Sequence, residues 1–188
     1  MAAGVSSPLK KQEIGEVLND FSLPDSGSGA PVSFSGAVAG KRGAVVMFWS
    51  GICSHCVRYD AYFNSFAERH PDIGLVVVAS RHGETAKLVE QAREERNLSF
   101  PILMDAGSTL ARSWFTQQTP RVFLVDADRK LVYRGAIDNF KYPNDPQHEA
   151  YLEPAIEAML AGKPQERTET ASFGCAIFSV YYILPKVL

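Results

Sequence analysis

The sequence lacks an excess of charge of either sign, has few cysteines and contains no long apolar run. Lys and Arg total 19 against 21 Asp and Glu, a formal net charge of −2, and a nucleic-acid partner is not expected because phosphate binding needs a basic surface. Three cysteines in 188 residues are too few for a small scaffold held by disulfides. No apolar run approaches the roughly 18 residues of a membrane span, so stable membrane insertion is not expected.

The two ends of the chain differ from its middle. Residues 1–14 are polar and lack the apolar stretch of a secretory signal. They are predicted to be a flexible leader, and the sequence as given predicts a cytoplasmic protein; a truncated sequence would make it periplasmic. Residues 164–188 form a tail that contains Cys175 and is apolar and aromatic from residue 173. We expect this tail to lie on a sheet edge or dock on the domain; the alternative is a self-association patch that forms a homodimer.

Residues 15–163 have the pattern of one α/β domain. Residues 43–50 and 73–80 are continuous apolar runs bounded by turn residues, as in strands buried on both faces. The predicted fold class is a central mixed β-sheet flanked by helices, with an N-terminal β-hairpin extension. Further strands are predicted in hairpins at 21–34 and 122–134 and alone at 100–104, and helices at 54–69, 84–96, 107–115 and 145–161.

Two cysteines separated by two residues follow the first buried strand. Cys53 would begin a helix, where backbone N–H groups and the helix dipole favour the thiolate, which is the nucleophile of thiol–disulfide exchange. Cys56, one turn later, can close a small disulfide ring with Cys53 and so resolve a mixed disulfide. We therefore predict exchange between this pair and protein thiols or disulfides, with no cofactor because the two sulfurs carry the electrons. No metal is expected, since structural zinc needs a second closely spaced ligand pair.

Three further features of the sequence are candidate parts of the same site. His55 would stabilise the Cys53 thiolate through its imidazole, which predicts a Cys53 pKa below the roughly 8.5 of a free thiol. Trp49, just before the turn, is expected in the apolar wall beside the sulfurs. Thr119-Pro120 precedes a strand and is a candidate cis peptide. The Thr119 backbone would then pair with an extended segment of the substrate.

At these residues the chain resembles the thioredoxin-like superfamily, and within it the redoxin (AhpC/TSA) branch. The resemblance rests on the segments FSLPDSGSGAPVSF, VVMFWSGICSHC, VVVAS and TPRVFLVDADRKLVYRGAID, and it covers residues 15–163. It implies a thioredoxin-like fold with Cys53 as nucleophile, Cys56 as resolving cysteine and Pro120 as a cis proline. The later segment TASFGCAI is similar to a peroxiredoxin-like subgroup that has a Gly-Cys pair in its tail.

Several positions depart from the patterns of individual branches. A peroxidatic cysteine normally follows a Pro and a Thr, and those positions are Val46 and Ser50 here. The buried Asp of thioredoxin is replaced by Met47, and the Glu of the cytochrome-maturation relatives by Tyr59 with Asp60 beside it. Peroxide reduction is therefore disfavoured. The usual proton-handling carboxylate is missing or moved, and Asp60 is a candidate for it.

Several alternatives stay open. One is a thiol peroxidase that uses Cys53, and another is copper binding by Cys53, Cys56 and His55, because copper(I) suits thiolates. Cys175 has three interpretations: a buried free thiol, an additional redox cysteine reached when the tail folds back, or a link between two chains. The sequence does not determine the direction of electron flow.

Overall fold

The structure is a computed structural model and describes residues 10–178. The strands in this range are β1 (Ser22–Pro24), β2 (Pro31–Ser33), β3 (Gly43–Trp49), β4 (Ile73–Ala79), β5 (Ile102–Met104), β6 (Gln118–Thr119), β7 (Arg121–Asp126), β8 (Leu131–Gly135) and β9 (Cys175–Ala176). The helices are α1 (Phe34–Val38), α2 (Ser54–Val57), α3 (Asp60–Asn64), α4 (Phe66–Arg69), α5 (Ala86–Glu95), α6 (Thr109–Ser113) and α7 (Leu152–Leu160), with a 3-10 turn at Ala106–Ser108.

A five-stranded mixed sheet forms the centre of the domain. Its strand order is β5-β4-β3-β7-β8. β3, β4 and β5 are parallel, whereas β7 and β8 are antiparallel to their neighbours. The predicted central mixed sheet is confirmed, and so is the N-terminal hairpin, in which β1 pairs with β2.

The apolar run of β3 is explained by burial on both faces of the sheet. Every residue of β3 is buried. Met47 and Trp49 belong to the core layer that holds α2–α4, α7 and both cysteines of the predicted pair. Val46 and Phe48 belong to the opposite layer, with α1 and α6. Successive side chains of a strand point to opposite faces, so a strand between two layers needs apolar residues throughout.

The helix predicted over residues 54–69 is wrong in its continuity, because the structure divides it into α2, α3 and α4. The first break falls at Tyr59, whose φ of −101° and ψ of 7° are not helical. The Tyr59 side chain is buried, and its hydroxyl donates to Asp138 Oδ1 at 2.5 Å. Such tertiary contacts outweigh the local periodicity on which the prediction rested.

The final helix begins seven residues later than predicted, at Leu152 instead of residue 145. Side-chain hydrogen bonds hold the preceding segment in turns. The Gln147 amide donates to Asp145 Oδ1 at 2.9 Å, and the Glu149 amide donates to Asn139 Oδ1 at 2.7 Å. Asp and Asn compete in this way with the backbone hydrogen bonds of a helix.

Both ends of the described chain contact the domain. Gln12 Nε2 donates to the Ser113 carbonyl oxygen at 2.8 Å, and the Gln12 carbonyl oxygen accepts from Arg134 Nη1 at 2.6 Å. At the other end, residues 168–170 run beside β8, and β9 pairs with β6. The prediction of a docked tail is confirmed for this part. Residues 1–9 of the predicted leader and 179–188 of the predicted self-association patch lie outside the described residues, so the leader boundary and homodimer stay predictions. No helix in residues 10–178 is long and apolar enough to cross a membrane.

Candidate active site

Cys53 and Cys56 lie where β3 ends and α2 begins. Cys53 is the residue before α2 and has an extended backbone, with φ of −85° and ψ of 111°. Cys56 lies within α2, and its amide donates to the Cys53 carbonyl oxygen at 2.9 Å. Both cysteines are unpaired thiols, and both are fully buried. The strand-to-helix turn predicted from the sequence therefore exists and places the two sulfurs on one turn.

The Thr119–Pro120 segment packs directly against the first cysteine. Its peptide bond is cis, as predicted. Cys53 Sγ lies 3.3 Å from the carbonyl oxygen of Thr119, although the two residues are 66 positions apart in the chain. The structure thus brings together the two features that the sequence suggested separately.

The tail carries the third cysteine to the same place. β9 is antiparallel to β6, with Cys175 opposite Thr119 and Ala176 opposite Gln118. Gly174 makes the approach feasible, because a Cβ at that position would lie 1.8 Å from the Thr119 carbonyl oxygen. Cys175 is half-buried beside the site.

Hydrogen bonds to its sulfur lower the pKa of Cys53 to about 4. The largest effect comes from the Cys56 side chain; the Cys175 and Thr119 side chains add to it, and burial opposes them. The lowered pKa of Cys53 agrees in direction with the prediction. The groups that lower it differ from the His55 imidazole that was predicted to do so. The His55 side chain lines a neighbouring groove, and the His55 backbone lies next to the Cys175 sulfur. A tuning role for the imidazole stays a prediction.

Cys56 has the opposite electrostatic environment. Burial, and then the neighbouring Cys53 sulfur, raise the pKa of Cys56 well above that of an ordinary thiol. At neutral pH these pKa values favour the thiolate at Cys53 and the protonated thiol at Cys56. This asymmetry suits a nucleophile and a resolving cysteine, because only the thiolate attacks a disulfide.

A groove of ≈ 570 Å³ opens beside this pair. His55, Pro120, Phe140 and Phe173 contribute to its walls, and the Arg58 guanidinium lies 3.6 Å from the centre of the Phe140 ring. Trp49 is not exposed in this groove, since its side chain is fully buried in the same core layer as the cysteines. Trp49 is thus in the apolar wall, whereas its contact with a substrate stays a prediction.

Comparison with known proteins agrees with this geometry. The Redoxin family model matches residues 13–152. The chain belongs to the Redoxin family. Thiol-disulfide oxidoreductase ResA of Bacillus cereus is 26% identical over 129 residues, which are 69% of this chain and 73% of the relative. The predicted resemblance to thioredoxin-like thiol–disulfide oxidoreductases is confirmed.

Solved structures of other proteins have the same fold. A hypothetical protein of Sinorhizobium meliloti has a TM-score of 0.78 and 28% identity, covering 89% of this chain and 95% of its own. A secreted disulfide oxidoreductase of Mycobacterium tuberculosis, homologous to E. coli DsbE, has a TM-score of 0.53 and 21% identity, covering 75% and 95%. The compartment of this redoxin stays a prediction.

Sequence reasoning missed Glu84, a carboxylate next to the active-site turn. Glu84 Oε1 accepts a hydrogen bond from the Gly51 amide at 2.6 Å. Burial raises the pKa of Glu84, and the hydrogen bond from Gly51 opposes that effect. Glu84 follows β4, whose C-terminal end lies beside that of β3. That edge is where open α/β sheets place their sites, a signal that could have found this residue.

Asp60, the candidate proton-handling carboxylate, is instead part of an ion pair. Arg96 Nε donates to Asp60 Oδ2 at 2.7 Å, and a second bond joins Arg96 Nη2 to Asp60 Oδ1. Arg96 Nη1 also donates to the Gly51 carbonyl oxygen at 3.0 Å, and its guanidinium lies 5.1 Å from the Trp49 ring. Arg96, paired with Asp60, thus contacts the turn before Cys53 at the Gly51 carbonyl oxygen, whereas Glu84 contacts it at the Gly51 amide.

The copper alternative depends on a group of ligands around Cys53. Within residues 10–178, no three His, Cys, Asp or Glu side chains are grouped so that they could hold a metal ion. The hypothesis that combined Cys53, Cys56 and His55 as ligands therefore has no support in the geometry.

Proposed function

We propose that this redoxin exchanges the Cys53–Cys56 disulfide, or the corresponding dithiol, with cysteines of protein substrates. The observation that carries the proposal is the contrast between the two sulfurs. Hydrogen bonds lower the pKa of Cys53 to about 4, whereas burial raises that of Cys56. In the reducing direction, Cys53 attacks a substrate disulfide as a thiolate, so that a Cys53–substrate disulfide forms as the substrate S–S bond breaks and its first sulfur leaves as a thiol. Cys56 then loses its proton, attacks Cys53 and releases the substrate thiol.

A protein substrate would bind along the Thr119 edge. The backbone of β6 pairs there with β9 of the tail, and a substrate segment that displaced β9 would form the same kind of strand pair by β-augmentation. The groove formed by His55, Pro120 and Phe140 is adjacent and could accept the side chains that flank the substrate cysteine. An extended segment with apolar or aromatic residues beside its cysteine fits this surface.

The low Cys53 pKa also favours a direction of exchange. Stabilising the thiolate stabilises the reduced protein and makes the disulfide a stronger oxidant. We expect a reduction potential above the roughly −270 mV of thioredoxin, toward the about −120 mV of DsbA. Equilibration with defined glutathione or dithiothreitol buffers measures this potential.

Exchange assays with two cysteine variants test the proposal. Cys53→Ser should abolish reduction of insulin and oxidation of a dithiol peptide. Cys56→Ser should retain the first step and accumulate a mixed disulfide between Cys53 and the substrate, detected by mass spectrometry. Ser54→Ala, in the same turn, is the matched control and should remain active. Undiminished exchange in Cys53→Ser would refute the proposal, and rapid oxidation of Cys53 by peroxide without protein exchange would favour the peroxidase alternative.

A further inference from the structure

The docked tail places a third sulfur beside the nucleophile, although the proposed exchange needs only two. Cys175 lies opposite Thr119 in the β6–β9 pair, and the Thr119 carbonyl oxygen is 3.3 Å from Cys53 Sγ. Cys175 also packs against the core layer that contains Cys53, and it is one of the groups that lower the pKa of Cys53. Cys53 therefore has two candidate disulfide partners, Cys56 in α2 and Cys175 in β9.

The position of Cys175 is fixed by the residue two positions later. Ile177 is buried, at 1% exposure, in the core layer of α1 and α6. Its amide donates to the Gln117 carbonyl oxygen at 2.9 Å, and its carbonyl oxygen accepts from the His82 amide at 2.9 Å. An anchored segment of this kind gives the Cys175 thiol a high effective concentration at Cys53.

The tail also occupies the edge at which a substrate segment would pair. Gly174 is so close to the Thr119 carbonyl oxygen that a Cβ has no room, and β9 forms the strand pair that a substrate would otherwise form with β6. Cys175 thus stands where the cysteine of a bound substrate would be presented to Cys53. The tail has the features of an internal substrate.

We propose that Cys175 is a third redox cysteine, which exchanges with Cys56 for the disulfide bond to Cys53. The proposal rests on the redox use of Cys53 and Cys56 proposed above. Starting from the Cys53–Cys56 disulfide, the Cys175 sulfur attacks Cys53 Sγ. The Cys53–Cys175 bond forms as the Cys53–Cys56 bond breaks, and the proton of the Cys175 thiol passes to Cys56. The number of disulfides is unchanged, so no further oxidant or reductant is required.

This exchange has a consequence for access to the site. The Cys53–Cys175 disulfide fastens β9 over the Thr119 edge and keeps a substrate segment from pairing there. Attack by Cys56 on Cys53 reverses the step and leaves the tail held only by non-covalent contacts. The protein would therefore store its oxidising disulfide in two forms. In one the tail is fastened to Cys53, and in the other a substrate segment can displace the tail.

Disulfide mapping in the full-length protein tests the proposal without any substrate. The Cys56→Ser variant is equilibrated in a glutathione redox buffer, quenched with acid, alkylated and analysed by mass spectrometry. We expect an intrachain Cys53–Cys175 disulfide, in a yield independent of protein concentration, and both disulfides in the oxidised wild type. A Cys56→Ser protein that carries only glutathione on Cys53, or that forms only disulfides between chains, would overturn the proposal.

A second variant tests whether the docked tail positions the sulfur. In the Cys56→Ser background, Ile177→Ala removes the anchor but keeps Cys53 and Cys175. We expect at least a tenfold fall in the ratio of the Cys53–Cys175 disulfide to the Cys53–glutathione mixed disulfide. Ile73→Ala, a buried substitution at the far end of β4, is the matched control. An unchanged ratio in Ile177→Ala, or an equal fall in Ile73→Ala, would contradict positioning by the tail.

The two proposals fail in different ways. If wild-type protein does not exchange with insulin or a dithiol peptide although its disulfides map as expected, the proposed function fails and the Cys175 proposal stands. If exchange depends on Cys53 and Cys56 but Cys175 is never linked to Cys53 within a chain, only the Cys175 proposal fails.

Discussion

At the scale of single residues, the site depends on the opposite pKa shifts of two cysteine side chains. The side chains of Cys56, Thr119 and Cys175, on α2, β6 and β9, lower the pKa of Cys53, whereas burial raises the pKa of Cys56. A buried sulfur without donors favours the thiol, and a sulfur surrounded by donors favours the thiolate. The difference in pKa between the two sulfurs therefore comes from their neighbours rather than from the Cys-x-x-Cys spacing itself.

The ionisation of Cys53 should be measurable in the reduced protein. Ultraviolet thiolate absorbance, corrected with Cys53→Ser, should show a transition near pH 4. Cys56→Ala should move this transition to higher pH, because the strongest hydrogen bond to the thiolate is lost, while Val57→Ala should not. The pKa of Cys53 is lower in the folded protein than in the unfolded chain, so ionisation of Cys53 stabilises the reduced protein. This stabilisation is complete above the unfolded-state pKa and is lost as the pH falls through about 4. A wild-type transition near pH 8.5 would contradict this.

Glu84 should support the active-site turn through its hydrogen bond to Gly51. Glu84→Ala leaves the Gly51 amide without its acceptor in a partly buried place, which should lower the free energy of unfolding by about 1–2 kcal/mol. Glu84→Gln retains a carbonyl acceptor and is the matched control, with a smaller loss expected. Urea unfolding of the reduced proteins measures both. Equal stability of all three proteins would show that this bond contributes nothing.

At the scale of elements, the tail is held by short contacts that are spread over the domain. Residues 168–170 bond to β8, Cys175 and Ala176 pair with β6, and Ile177 enters the core. Glu169 adds an ion pair with Arg134, which lowers the pKa of Glu169 to about 2. β9 is only two residues long, so its place depends on these flanking contacts more than on its own strand pairing.

Gly174→Ala should release β9 from β6. The added Cβ would lie 1.8 Å from the Thr119 carbonyl oxygen, so either strand must move. We expect faster hydrogen exchange at the Ile177 and His82 amides, which take part in the hydrogen bonds that dock the tail. Ala171→Ser, at an exposed position nearby, is the control and should leave both amides protected. Unchanged protection in Gly174→Ala would mean that the close contact is not required.

At the scale of the whole molecule, a cluster of aromatic rings closes the core face opposite the cysteines. The Trp114 ring contacts Phe34, Phe48 and Phe123, with ring centres 5.9, 5.8 and 4.9 Å away. Ile177 is buried in the same layer. This layer therefore joins the sheet, the N-terminal hairpin and the tail. It packs on the face of β3 opposite to the two cysteines.

Phe123→Ala should test how much this layer contributes to stability. Phe123 is fully buried in β7, and removing such a ring costs about 3–5 kcal/mol through lost burial and a residual cavity. Phe173→Ala, at a position that is 81% exposed, should change the stability by less than about 0.5 kcal/mol. Denaturant unfolding compares the two variants. Similar losses in both would contradict the packing described.

The sequence by itself determined the features whose physical cause is local. The double-sided burial of β3 is visible as a continuous apolar run, and the pair Cys53 and Cys56 is visible because both lie on one turn. Thr119–Pro120 is recognisable because the peptide bond before a proline has only a weak preference for the trans form. These features were enough for the fold class and for the expected chemistry.

The tertiary structure alone decided which distant groups meet at the sulfur. Glu84 reaches Gly51 only because β4 lies beside β3, and Tyr59 interrupts a helix only because Asp138 is within reach of its hydroxyl. Cys175 comes to Cys53 because β9 pairs with β6 and because Ile177, two residues after Cys175, is buried in the core. Such contacts join segments far apart in the chain, and a local pattern carries no information about which segments fold against each other.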